Sequence, residues 1–149
     1  VRVAGAVADR AALTAGLDAL CSVRLDVDVA TRLREFARAG GVIRFAQFQA
    51  TGVDSTADLG RRGTPPRIYV NAKFARTDPA WIAPLVAHDV TFLELDPTTA
   101  GGLLAARKVE AQVCAELFAD RRPSRGCDDA KALLSLPDPL AALRAAGFR

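Results

Sequence analysis

Apolar positions recur at helical spacing at both ends of the chain and at strand spacing in its middle. Leu13, Leu17 and Leu20 share one face of a first helix over 8–20. Asp28 is a good N-cap for a second, in which Val29, Leu33, Phe36 and Ala37 keep the helical period until Gly40-Gly41 ends it. Residues 42–49 are β-branched and aromatic and predict a strand, whereas 50–66, rich in Gly, Thr, Asp and Pro, predict a loop or a hairpin with a short middle strand. The clearest strand is 67–72, with Ile68, Val70 and Ala72 on one face and Tyr69 and Asn71 on the other. Asp78-Pro79 then starts a third helix running to about Leu95, with Pro84 inside it as a kink or a delayed start. Asp96-Pro97 breaks that run, and Thr98 or Thr99 can cap a long fourth helix to about Asp120. Two shorter helices follow an Arg, Pro and Gly-rich link, at roughly 128–135 and 138–146. The alternation of helices with a few strands predicts an α+β fold.

At 149 residues, half of them apolar and a quarter charged, the chain reads as one globular, soluble domain spanning 1–149. No apolar run reaches the length of a bilayer, so no membrane partner is expected. No signal segment is visible; the chain starts at Val1 and contains no Met, as a processed product, an excised domain or a non-Met start would. The net charge of +3 rests on Arg, which supplies 17 of the 20 basic residues. These are scattered apart from Arg61-Arg62 and Arg121-Arg122 with Arg125, so no basic stripe points to nucleic acid. Cys21, Cys114 and Cys127 are odd in number and contain no C-x-x-C pair, which makes buried, inert thiols the default, with a Cys114–Cys127 bridge open in an oxidising compartment.

Two ligand-type residues interrupt apolar helix faces. The face of the third helix that carries the chain's sole histidine, His88, also carries Trp81, Leu85, Phe92 and Leu95, so His88 is expected to point inward. On the fourth helix, Glu110 lies in the middle of a stripe formed by Leu103, Ala106, Val113, Cys114 and Leu117. A carboxylate there needs a partner. His88, Arg107 and Arg44 are the candidates, and the plain reading of His88 is a core histidine bonded to Glu110 or to a backbone carbonyl. Asp89 reads as a polar residue on a less buried face.

Residues 31–120 resemble a compact zincin, a minimal metallopeptidase-like domain of the gluzincin kind. Ile82-Ala-Pro-Leu-Val-Ala-His-Asp-Val-Thr-Phe92 resembles the helix that carries His-Glu-x-x-His, where two histidines one turn apart hold zinc and the glutamate acts as general base. Arg67-Ile-Tyr-Val-Asn71 resembles the edge strand that lines the substrate cleft, and Lys108 to Phe118 resembles the helix supplying a third, glutamate ligand, at Glu110. The resemblance therefore implies a small sheet whose edge strand (Ile68, Tyr69, Val70, Asn71) holds an extended peptide beside a site at His88, Asp89, Phe92 and Glu110. The motif is degenerate. Phe92 stands where the second histidine would be, and Asp89 is one methylene shorter than the glutamate base. The resemblance with this degeneration implies a vestigial site, with no catalytic residue, metal ligand set or cofactor expected.

The leading expectation is thus a non-catalytic metallopeptidase-like domain acting as a scaffold, regulatory module or binder of a peptide or protein segment. The alternative is an active zinc metallohydrolase using His88, Asp89, Glu110 and one further acid, with Glu94, Asp96, Glu116 and Asp120 as the candidates. A third reading is an unrelated α+β interaction protein. Nucleophilic catalysis would also need His88 and has no nucleophile placed near it, and neither Gly40-Gly41 nor Gly101-Gly102 has the spacing or the Lys of a phosphate loop.

Overall fold

The most apolar of the described helices sits at the centre of the structure. The computed structural model describes residues 1–24, 29–60, 63–95, 98–119 and 125–149. Strand β1 (Arg2–Ala4) leads into helices α1 (Val7–Ser22) and α2 (Val29–Arg38), followed by β2 (Val42–Ala46), β3 (Ser55–Asp58) and β4 (Arg67–Asn71). Two short 3-10 turns connect β4 to α3 (Ile82–Glu94), after which come α4 (Ala100–Leu117), α5 (Arg125–Leu134) and α6 (Pro139–Ala145). The fold is α+β, as expected. Asp28, the expected cap of α2, lies outside the described residues.

The sheet order is β1-β2-β4-β3, with β1, β2 and β4 parallel and β3 antiparallel to β4. This corrects the expectation for 67–72. Ile68, Tyr69, Val70 and Asn71 belong to an interior strand, paired to Ile43, Arg44, Phe45 and Ala46 on one side and to β3 on the other. Their backbone groups are already used by the sheet, so they cannot receive a peptide strand. The physical reason is β3, the short strand within 50–66, which covers β4 and itself forms the edge beside the central helix. At the opposite edge, β1 is only three residues long and carries little periodic signal.

Helix α3 packs on the sheet and also meets α1, α2 and α4. Its Ile82, Ala83, Leu85, Val86, Ala87 and Val90 join Leu13 and Leu20 of α1, Leu33 and Phe36 of α2, Ile43, Ile68 and Val70 of the sheet, and Val109 and Val113 of α4 in one buried core. Contact on so many sides explains why α3 is apolar almost all round. Asp78 accepts a hydrogen bond from the Ala80 amide at 2.9 Å and starts the turn over Pro79–Trp81. Pro84 falls in the first turn of α3, where an amide has no partner within the helix, so it delays the α-helix without breaking it. Thr99 caps α4 through the Gly102 amide at 3.1 Å.

Close approach of α1 to the start of α3 depends on Gly16. A Cβ there would lie 2.7 Å from the Cβ of Ile82 and 2.9 Å from the Pro79 carbonyl oxygen. Gly101, in the first turn of α4, faces open space instead. Denaturant titrations should therefore separate the two: Gly16→Ala is expected to lose about 1–3 kcal/mol through overpacking, whereas Gly101→Ala should gain about 0.5–1 kcal/mol. A Gly16→Ala protein as stable as the parent would refute this helix packing.

Candidate functional site

Helices α3 and α4 bring His88 and Glu110 together, as their placement in two apolar faces predicts. His88 Nδ1 lies 3.0 Å from Glu110 Oε2. The Arg107 guanidinium, one turn earlier on α4, donates to that same oxygen at 2.7 Å. The Glu110 side chain is 1% exposed, against 13% for His88 and 31% for Arg107. Two nitrogen groups thus converge on one oxygen of a carboxylate that has no contact with bulk water. Arg44, the other candidate partner, is exposed and lies over the Tyr69 ring, 4.9 Å from its centroid.

A cleft of about 240 Å³ opens at this pair. Its walls come from the loop and edge strand at Gly52 to Ser55, from Leu85 and His88 on α3, from Arg107 and Glu110 on α4, and from Gly126 and Asp129 on α5. Asn71 holds the rim. Its amide donates to the Asp54 carbonyl at 2.8 Å and its side-chain Nδ2 donates to the Val53 carbonyl at 2.9 Å. Lys73 forms an ion pair with Asp54. Asn71 therefore shapes the cleft from behind, although it does not present a free strand edge.

Asp89 departs from its expected place. It is 3% exposed, deeper than His88, because α3 is covered on the sheet side as well as by α4. The Ser55 hydroxyl of β3 hydrogen-bonds to its carboxyl, while Oδ2 is buried without a hydrogen-bond partner. Burial pushes the Asp89 carboxyl up from 3.8 to about 6, opposed in part by His88 and the Ser55 bond. Phe92 stacks one turn beyond His88, their ring centroids 5.7 Å apart.

The residues present do not fit a catalytic zinc ion, which takes three protein ligands and keeps a fourth position open. Phe92 offers none, Arg107 already occupies the Glu110 oxygen that faces His88, and a guanidinium in that place repels a cation. Among the described residues no cluster of three or more His, Cys, Asp or Glu is arranged to hold a metal ion. Of the four substitute acids, Glu116 faces solvent, while Asp96, Asp120 and the Glu94 side chain lie outside what is described.

The cysteines depart from the default of buried free thiols, and the bridge left open between Cys114 and Cys127 is present. Cys21 is exposed, and Cys114 and Cys127 form a disulfide between α4 and α5, with Cα atoms 5.7 Å apart. A separation of 13 residues carries no signature; the bond depends on how α5 folds back on α4, which also puts Gly126 and Asp129 on the cleft wall. No helix among the described residues is long and apolar enough to cross a membrane. Compared with protein-family models, curated proteins and solved structures, the chain matches none of them.

The buried Asp89 generates a pH dependence of definite sign. The folded state retains a proton between the unfolded value of 3.8 and the folded value of about 6, so this group's contribution to stability is present below that window and lost as pH rises through it. Asp89→Asn, neutral at every pH, should be more stable than the parent by roughly 2 kcal/mol at pH 8, with the gap closing toward pH 4. A gap that does not change with pH would rule out desolvation as its cause.

Proposed function

We propose that this chain is a zincin-like domain that has lost hydrolytic chemistry and serves as a peptide-binding module. The reading rests on one observation: the outer edge of β3 runs beside a cleft whose wall is the His88–Glu110 pair. Ser55 belongs to both, lining the cleft and bonding to Asp89 of the central helix. An extended segment added to β3 would place its side chains toward that cleft, the backbone bonds giving affinity and the pocket giving selectivity. The order of elements supports the resemblance, with a helix before the sheet, an antiparallel edge strand, the helix bearing His88 and then the helix bearing Glu110.

Loss of hydrolysis follows from the side chains. Arg107 supplies the positive charge that a metal would otherwise bring to Glu110, and Asp89 is engaged by Ser55. The alternative of an active metallohydrolase draws on the raised Asp89 carboxyl, since perturbed acids cluster at catalytic sites. Yet Asp89 is not on the cleft wall, and an acid so buried has no path to an attacking water.

Metal analysis separates the two readings. Protein purified without chelator should carry well under one zinc per chain, and stoichiometric zinc that disappears in His88→Ala would establish the metallohydrolase. Restoring the motif with Asp89→Glu and Phe92→His should recover zinc binding if the helices are disposed as in a zincin; a folded double variant that still takes none would remove that assignment. For the peptide, titration of isotope-labelled protein with a mixed hexapeptide library should shift the amide resonances of Ser55–Asp58 without cleaving the peptides. Unchanged resonances at millimolar peptide would end the peptide-binding proposal.

A further inference from the structure

The disulfide sits near two clefts, the one at His88 and an apolar one between α4 and α5. Cys114 follows Glu110 by one turn of α4, and Cys127 lies between Gly126 and Asp129, the two α5 residues on the wall of the His88 cleft. Gly126 is pressed against the buried pair: a Cβ at that position would lie 3.0 Å from Glu110 Oε1 and 3.7 Å from Asp54 Oδ2. The first turn of α5 thus covers Glu110 and reaches toward the β3 rim. Among the described side chains of α5, those buried are Gly126, Cys127 and Ala130, all small, whereas Asp128, Asp129, Lys131 and Ala132 are exposed.

On its other side, the bond borders an apolar cleft of about 440 Å³ between α4 and α5, lined in part by both cysteines, Phe118 and Leu134. Solvent-accessible space therefore borders α5 along this part of its contact with α4. It also gives a small thiol a route to the sulfur atoms. A helix with small buried residues and an open cleft on one side is thus tied covalently to α4 through its first turn.

We propose that the Cys114–Cys127 disulfide is a redox latch on the His88 cleft, holding α5 across it when oxidised and releasing it when reduced. The proposal takes the cleft to be the functional site, as in the reading above. The reductant is a dithiol. One of its thiolates attacks one cysteine Sγ and breaks the protein S–S bond to form a mixed disulfide; its second thiol then closes the dithiol's own disulfide. Two electrons and two protons pass to Cys114 and Cys127, which leave as thiols. The cleft is latched in an oxidising compartment and opened in a reducing one.

Two readouts on the whole chain test the latch without using peptide or metal. Cys21→Ser removes the exposed free thiol, so that the only redox change is at the disulfide. Hydrogen exchange should then show the α5 amides exchanging about a hundredfold faster after dithiothreitol treatment, the scale of the lost loop constraint, with β4 and α3 unchanged. In parallel, diethyl pyrocarbonate should modify His88, the single histidine, on the order of tenfold faster in the reduced protein. The double variant Cys114→Ala with Cys127→Ala should match the reduced protein in both measurements. Unchanged α5 exchange after mass-verified reduction would overturn the latch. So would an equal rise in β4 exchange, which would make the bond a staple of the entire fold, or a released α5 with unaltered His88 reactivity. If both readouts rise but no peptide binds, the latch stands and the peptide-binding reading alone fails.

Discussion

A single buried carboxylate constrains the arrangement of this half of the molecule. Glu110 has lost nearly all contact with water, and such a group is tolerated only when charge and hydrogen bonds replace hydration. His88 and Arg107 supply both, and they do so from two helices. The register of α3 against α4 is therefore fixed by a polar contact inside an otherwise apolar interface, where sliding by a turn would break the His88–Glu110 contact and leave Glu110 with Arg107 alone. Conserving that contact also fixes Phe92 beside His88 and Leu85 at the base of the cleft.

The same contact accounts for the absence of peptidase-type chemistry in the proposed reading. A metal and a guanidinium compete for the same carboxylate oxygen, and only the guanidinium is covalently part of α4. With the cation built in, the site needs no ion to be electrostatically satisfied. What remains is shape: a sheet edge, a cleft and a covering helix. The Ser55–Asp89 bond ties the edge strand to the central helix, so the rim and the buried pair form a continuous unit from β3 to α4.

Much of this was legible in the sequence where one periodicity ran long enough to fix a face. The meeting of His88 with Glu110 followed from two helical stripes, and the caps at Asp78 and Thr99 followed from side-chain chemistry. Features that depend on which elements become neighbours were not legible. Strand 67–72 has the strongest alternation in the chain, yet its place in the sheet is decided by the weak four-residue β3. Asp89 was assigned to a less buried face because a helical wheel shows one favoured side, whereas α3 is covered on several. Arg107 is one of two arginines that could pair with Glu110 beside His88, and only tertiary packing sends Arg44 to Tyr69 instead. The disulfide lacked any spacing signature for the same reason.

The most direct test of the central claim is a double-mutant cycle between His88→Ala and Glu110→Gln, read as unfolding free energy with and without a metal chelator. If a metal-free His88–Glu110 contact organises this site, the two substitutions should be non-additive by about 1–3 kcal/mol, and chelator should leave that coupling unchanged. Additive substitutions, or a coupling abolished by chelator, would contradict it.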